Sequence, residues 1–187
     1  MEGDTLGNLA NAYQATDQLS QAKQAYESAL SVDREVGNHS AEGFVNVNLA
    51  NLLLRTGGIS QAEIALDRAL TIARQLDNRW LEGFALGELA CLYLQIGRHE
   101  QAALNFVRAL KIHGKVGNRR LQGIHECDFA RCLLARNQTR KAAEHWRRGW
   151  ETLKELHADN EARQKRHAMK AACAKAGVPP FDGEAPA

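Results

Sequence analysis

Residues 42–70 read EGFVNVNLANLLLRTGGISQAEIALDRAL, and residues 82–110, forty positions later, read EGFALGELACLYLQIGRHEQAALNFVRAL. The two stretches align without a single insertion. The same period continues in both directions, because the dipeptide Leu49-Ala50 recurs as Leu9-Ala10, Leu89-Ala90 and Phe129-Ala130. A period of this length indicates that each copy is one supersecondary unit stacked on its neighbours.

Each copy has the pattern of two helices. In the first, helix A, residues Leu86, Leu89, Ala90 and Tyr93 have the i, i+3, i+4, i+7 spacing of one helix face. In the second, helix B, small and large apolar residues alternate, which favours close packing of helices. Residues 1–178 contain no proline, so long helices can run uninterrupted. Each copy is therefore predicted to be a helix-turn-helix unit.

The ends of the helices are predicted from turn-forming residues. Helix A is expected to end where the chain takes a left-handed conformation, at Asp17, Gly57, Gly97 and Asn137. Ser20 and Ser60 follow three residues later and are expected to cap helix B. Helix B ends at Gly37-Asn38, Asp77-Asn78 and Gly117-Asn118, whereas the fourth copy has His157-Ala158 and is expected to have an altered exit.

These patterns predict an all-α fold in which residues 1–158 form four repeats, at about 1–38, 39–78, 79–118 and 119–158. A capping helix is predicted at residues 159–177, begun by Asp159 or Asn160. Residues 178–187 are predicted to be a disordered tail.

The repeat resembles a known family. Leu-Ala-x-x-Tyr, then Gly, then Ala-x-x-x-Tyr/Phe-x-x-Ala-Leu is similar to the tetratricopeptide repeat (TPR) over about residues 2–157. The forty-residue spacing resembles the long-repeat subgroup, with the Leu-Gly-Asn-type scaffolds, kinesin light chain and repeat arms of bacterial regulators. The resemblance implies a right-handed superhelical solenoid that acts as a protein-protein interaction scaffold or adaptor. Because the pattern is already under way at Glu2-Gly3, we also expect a fragment of a larger signalling or regulatory protein.

The resemblance also implies a concave groove that is lined by the A helices and binds an extended or helical peptide segment. Its lining is expected on the face of helix A opposite the Leu/Ala/Tyr face, at four positions in each repeat: Asp4, Gly7, Asn11 and Gln14, then Phe44, Val47, Asn51 and Leu54, then Phe84, Gly87, Cys91 and Leu94, then Ile124, Cys127, Arg131 and Leu134. Amide side chains donate and accept at once and therefore suit a peptide backbone. The predicted peptide-binding residues are Asn11, Gln14, Asn51, Leu54, Phe84, Cys91, Leu94 and Arg131. Phe44 and Phe84 have an alternative role, in packing between adjacent A helices. For Asn11, Asn51 and Arg131 the alternative to ligand contact is plain solvation.

The charge distribution leaves two further hypotheses open. The net charge is +2, but residues 1–93 carry 6 Lys+Arg against 12 Asp+Glu, while residues 94–187 carry 18 against 10. The basic region at residues 140–170 could contact nucleic acid through phosphates, although Glu144, Glu151 and Glu155 dilute it and a solvated helix face is the plainer interpretation. Alternatively, the acidic end of one copy could pair with the basic end of another and form a homo-oligomer.

No residue pattern predicts an enzyme. The seven His residues share no repeat position, and Cys127 and Cys132 lie five residues apart, which does not place them on one helix face as a metal site requires. No glycine-rich phosphate loop is present, so neither a cofactor nor a metal is expected. The four cysteines lack paired spacing and no apolar run is long enough to span a bilayer, so a reduced, cytoplasmic protein is expected.

Overall fold

The computed structural model describes residues 2–181. Within that range the chain forms nine α-helices and no β-strand. In chain order they are α1 (Glu2–Ala15), α2 (Leu19–Glu35), α3 (His39–Arg55), α4 (Ile59–Gln75), α5 (Arg79–Gln95), α6 (His99–Val116), α7 (Arg119–Ala135), α8 (Thr139–Glu155) and α9 (Asp159–Ala176). The predicted all-α repeat fold is confirmed, since the helices follow one another in helix A and helix B pairs.

The chain divides into two compact units, Met1–Leu92 and Tyr93–Ala187. We call their described parts, residues 2–92 and 93–181, the first unit and the second unit. In the first unit α1 packs on α2, α3 packs on α4, and α3 also contacts both α1 and α2. Its core combines buried alanines of the B helices with fully buried Tyr26 and Leu66. Each large side chain buried in this way contributes about 1.5–3 kcal/mol to stability.

The second unit is built around α7. This helix packs on α6 and α8, and α9 contacts both α7 and α8. Phe106, Trp146, Leu153 and Met169 are buried between these helices. On α9, Ala162, Met169 and Cys173 are buried. Helix α9 therefore covers apolar residues of α7 and α8 that the contact between those two helices leaves exposed.

The predicted left-handed turns at the ends of the A helices are confirmed. The φ angle is 62° at Asp17, 82° at Gly57, 78° at Gly97 and 58° at Asn137. The B helices end in the same way, at Gly37, Asp77 and Gly117. The expectation of an altered fourth exit was wrong, because His157 has φ 50° and makes the same turn.

The predicted caps need correction. Ser20 and Ser60 are the second residues of α2 and α4, while Gln18 and Gly58 hold the N-cap positions without a side-chain hydrogen bond. The reason is that each turn is shorter than expected: the Gln18 amide donates to the Tyr13 carbonyl (2.8 Å), closing α1 at the residue that opens α2. Similarly, Ala158 rather than Asp159 or Asn160 holds the N-cap position of α9.

The turns between repeats do have side-chain caps. The Asn38 side-chain oxygen accepts a hydrogen bond from the Ala41 amide (3.3 Å), and Asn78 and Asn118 cap α5 and α7 in the same way. The last helix ends at Ala176, and Gly177 is left-handed. Residues 178–181 have no helix or strand, and the rest of the predicted tail lies outside the described residues.

The recurring glutamate at the start of helix A joins three helices. Glu42 of α3 is fully buried and lies 2.9 Å from the Arg34 guanidinium of α2 and 3.4 Å from that of Arg68 of α4. Burial raises the pKa of this carboxyl, but the hydrogen bonds from Arg34 and His39 and the charge of Arg68 outweigh it and hold the pKa below its usual value. Glu42 thus stays ionised and ties the first repeat to the second.

Candidate peptide-binding surface

A pocket of about 330 Å³ opens in the first unit between α1, α2 and α3. We call it the amide pocket, because Asn11, Gln14, Asn48 and Asn51 line it together with Tyr26, Ala15 and Arg55. Asn11 and Gln14 come from one face of α1. Asn48, Asn51 and Arg55 come from one face of α3, since they are spaced i, i+3 and i+7. The pocket therefore presents amide groups from two helices A to one space.

The base of the amide pocket is held by Tyr26 of α2. Its hydroxyl lies 2.6 Å from the Asn11 side-chain oxygen and 2.9 Å from that of Gln14, and it can donate to either. Burial raises the pKa of Tyr26 to about 12, so the hydroxyl keeps its proton as a donor. Because a hydroxyl has one proton, Tyr26 donates to one of these two amide oxygens at a time, and the amide nitrogen of that residue remains available to donate to a ligand.

The side chains on the α3 side of the amide pocket differ in how many hydrogen bonds hold them. Asn48 donates weakly to the Asn11 side-chain oxygen (3.4 Å). Arg55 donates to the Gln14 carbonyl (3.3 Å) and to the Asp17 carboxylate (2.7 Å), which closes one end of the pocket. Within residues 2–181 the half-buried Asn51 side chain forms no hydrogen bond. Asn51 therefore offers both an unused donor and an unused acceptor.

Three predicted site residues, Asn11, Gln14 and Asn51, thus lie in one pocket. The predicted set did not include Tyr26, Asn48 or Arg55. Asn48 and Arg55 could have been found from the sequence, since both share the helix face of Asn51. Tyr26 could not, because the helix B pattern marks it only as a core residue. Leu54 is half-buried on α3 and does not line this pocket.

Phe84 belongs to a second feature of the first unit. Trp80 of α5 lies between Phe44 and Phe84, with ring centroids 5.3 Å and 5.7 Å away in edge-to-face geometry. We call these three residues the aromatic cluster. Phe44 and Phe84 are half-buried, whereas Trp80 is 42 % exposed. The two phenylalanines that the repeat pattern places on the groove face are therefore joined by a tryptophan that reaches solvent.

The remaining predicted residues lie elsewhere. Cys91 is half-buried on α5, and Leu94 is half-buried near the end of that helix. Arg131 of α7 belongs to the second unit, where its guanidinium lies 3.2 Å from the buried Asp128 carboxylate. Lys165 of α9 approaches the other oxygen of Asp128 to 2.5 Å. Burial raises the pKa of Asp128, but the charges of Lys165 and Arg131 hold it below its usual value.

Part of the expected groove face is inaccessible. Val47 and Cys127 are fully buried and Leu134 is 2 % exposed, so the prediction that they line an open groove was wrong. Two contacts show what covers this face: a side chain added at Gly7 would meet Val45 of the next helix A at 3.6 Å, and the Cys127 sulfur lies against Gly149 of α8, the helix B of the same repeat. Neighbouring A helices and the B helix of the same repeat therefore cover part of the expected groove face. Binding positions remain only along the part of helix A that no neighbour covers.

The second unit contains a buried histidine pair that no pattern in the sequence indicated. His113 of α6 and His125 of α7 are both fully buried, with ring nitrogens 3.0 Å apart. Burial, together with the neighbouring His125, lowers the pKa of His113 to about 3. His113 is therefore neutral, and it is suited to packing rather than to proton transfer at neutral pH.

Metal-binding and nucleophilic chemistry has little support in the part of the chain that the structure describes. No group of three or more His, Cys, Asp or Glu side chains there is arranged to hold a metal ion. Burial raises the pKa of Cys132 to about 11 and that of Cys127 further, which disfavours the reactive thiolate. None of the helices described is both long enough and apolar enough to cross a lipid bilayer.

The basic region at residues 140–170 is partly neutralised. Arg148 lies 3.4 Å from the Glu126 carboxylate, Arg140 pairs with Glu144, and Lys165 is held by Asp128. Arg166 stacks over the Trp150 ring at 5.9 Å. Nucleic-acid contact through this region stays a prediction, as does self-association.

This geometry, helix pairs in series with amide and aromatic side chains on the A helices, is that of a helical repeat protein. The chain belongs to the tetratricopeptide repeat family, whose model matches residues 2–75 and 44–115. Repeats of this family form protein-interaction scaffolds and are in general non-enzymatic. A search of curated proteins finds no match.

Solved structures with the same fold come from several proteins. BtubC (BKLC) from P. vanneervenii has a TM-score of 0.71 at 19 % identity over 83 % of this chain and 64 % of that one. Rap protein in complex with Competence and Sporulation Factor has a TM-score of 0.77 at 17 % identity over 93 % and 54 %. The TPR-like repeats of a protein described as a kinesin light chain, from Podosopora anserina, have a TM-score of 0.65 at 16 % identity over 93 % and 95 %. This chain thus spans about two thirds of BtubC and about half of Rap.

Proposed function

We propose that this protein is an interaction scaffold whose first unit binds an extended peptide segment of a protein partner in the amide pocket. The observation that carries the proposal is the convergence of Asn11, Gln14, Asn48 and Asn51 on one pocket. An extended peptide presents alternating N–H donors and C=O acceptors, and amide side chains can satisfy both. The Rap structure with Competence and Sporulation Factor supports the proposal, since a chain of this fold there holds another molecule.

The pocket is better suited to an extended chain than to a helix. A helix has satisfied its own backbone hydrogen bonds, so it offers amide side chains little to bind along its length. The firmly held members of the pocket, Tyr26 and Arg55, are fixed by contacts within the first unit. They orient the neighbouring amides before a ligand arrives, which lowers the entropy cost of binding.

The proposal is tested by selecting a random library of 12-residue peptides on the full chain and titrating the enriched peptides against variants. Asn51→Ala removes an amide without breaking any hydrogen bond within the described residues, so its helicity and melting temperature are expected to stay unchanged. Loss of one or two hydrogen bonds is expected to weaken peptide binding by about 3- to 30-fold.

The matched control is Asn105→Ala. Asn105 is a half-buried asparagine of α6 whose amide, within the described residues, donates only to the Gln101 carbonyl of its own helix. This variant is expected to bind the enriched peptides as the unmodified chain does. Equal affinity of the Asn51→Ala variant and the unmodified chain would reject the amide pocket as the site.

A further inference from the structure

We infer that the peptide bound by the first unit is cationic and carries an apolar side chain that docks on the aromatic cluster of Phe44, Trp80 and Phe84. This inference rests on the proposed function, and it names the class of peptide that the amide pocket would take. Two independent observations carry it: the position of the aromatic cluster relative to the amide pocket, and the charge of the first unit.

The aromatic cluster and the amide pocket share one face of α3. Phe44, Asn48, Asn51 and Arg55 are spaced i, i+4, i+7 and i+11, so they form a single row along that helix. Phe44 and Asn51 are seven residues apart, which is about 10 Å along an α-helix. An extended peptide covers this distance with about three residues. One short segment can therefore reach both features.

The aromatic cluster has an apolar surface still open to solvent. Trp80 remains 42 % exposed although two phenylalanine rings pack against it. Those edge-to-face contacts fix the orientation of the indole, so a partner side chain meets a rigid surface. Tryptophan is also enriched among the residues that dominate binding energy at interfaces. An aliphatic or aromatic side chain is the group that fits this surface.

The net charge of the first unit favours a peptide of positive net charge. Residues 1–93 carry 12 Asp+Glu against 6 Lys+Arg. The net charge of these residues is therefore −6. A peptide with Lys or Arg residues is attracted to this unit, and an acidic peptide is repelled.

The test uses the same random 12-residue library, selected in parallel on the full chain and on its Trp80→Ala and Ile64→Ala variants. Ile64 is 70 % exposed on α4 and serves as the control for removing an exposed apolar side chain. We expect the unmodified chain and the Ile64→Ala variant to enrich peptides with basic residues and one apolar position. On the Trp80→Ala variant the apolar preference is lost, and enriched peptides bind at least about tenfold more weakly.

The outcomes separate the two proposals. This inference would be overturned if the enriched peptides bound the Asn51→Ala variant more weakly but the Trp80→Ala variant as tightly as the unmodified chain. It would also be overturned if they showed no preference for basic or apolar residues. Either result would leave the amide pocket as the binding site. Failure to enrich any peptide would reject both. Should Trp80→Ala lower the melting temperature, Trp80→Phe keeps an aromatic ring in the cluster, and we expect it to restore most of the affinity while Trp80→Ala stays weak.

Discussion

At the scale of single residues, burial changes the pKa and the hydrogen-bond partners of side chains in ways that the repeat pattern does not predict. His113 occupies the repeat position that holds Asp33 in the first copy, Ala73 in the second and Leu153 in the fourth, so the sequence does not indicate a partner for its side chain. Its pairing with His125 depends on the side chains of two neighbouring helices meeting, and only the structure gives that. The same holds for the hydroxyl of Tyr26, whose contacts with Asn11 and Gln14 turn a core residue into the base of a pocket.

The buried histidine predicts how stability depends on pH. The pKa of His113 is about 3 in the folded protein and about 6.5 when unfolded, so only the unfolded state takes up this proton between those values. The free energy of unfolding therefore falls as pH is lowered through 6.5, and the contribution of His113 is about 2 kcal/mol between pH 7 and pH 5.

The measurement is urea unfolding at several pH values for the unmodified protein and for His113→Gln. Glutamine stays neutral over this range and can still hydrogen-bond to His125. We expect the variant to lose about 2 kcal/mol less than the unmodified protein between pH 7 and pH 5. Parallel stability curves would show that His113 does not titrate as its burial implies.

At the scale of helices, the sequence predicted most of the fold because the forty-residue period repeats both apolar faces and turn residues. Asp17 and Asn137 could be predicted as left-handed because they align with glycines in the other copies. The caps at Ser20 and Ser60 were misplaced because the hydrogen bonds that shorten each turn are formed by backbone atoms, which no side-chain pattern reveals. The buried part of the groove face was misassigned because the pattern of one helix does not show which of its residues the neighbouring helices cover, as α8 covers Cys127.

Helix packing in the second unit depends on one close approach. Gly149 of α8 takes the position that is alanine in the first three copies, and a Cβ there would lie 2.7 Å from both the Cys127 sulfur and the Gly123 carbonyl oxygen. Gly149→Ala is therefore expected to force α7 and α8 apart and to lower the free energy of unfolding by about 1–3 kcal/mol, measured by urea denaturation.

A second helical glycine provides the matched control for that substitution. Among the described residues, no atom outside the adjoining backbone of α6 lies within 4 Å of a Cβ added at Gly114. Gly114→Ala is expected to raise stability by about 0.5–1 kcal/mol through the better helix propensity of alanine. If Gly149→Ala were as benign as Gly114→Ala, the close packing of α7 on α8 would be disproved.

At the scale of the whole molecule, the charges of the two halves of the sequence are opposite in sign, −6 for residues 1–93 and +8 for residues 94–187. Charges of opposite sign on different copies attract over the Debye length, which is about 30 Å at 10 mM salt and about 8 Å at 150 mM. We therefore predict weak self-association at low salt that disappears at physiological salt. Light scattering coupled to size exclusion measures it, and a mass equal to the 20.7 kDa of one chain at 10 mM salt would contradict the prediction.

Contact between the peptide and the amide pocket of the first unit can be measured by NMR of the asparagine and glutamine side-chain amides. On titration of the full chain with an enriched peptide, we expect large shifts of the Asn11, Gln14, Asn48 and Asn51 amide signals and none for Asn105. A bound peptide that shifts none of these four signals would disprove the amide pocket as the site and place the binding surface elsewhere.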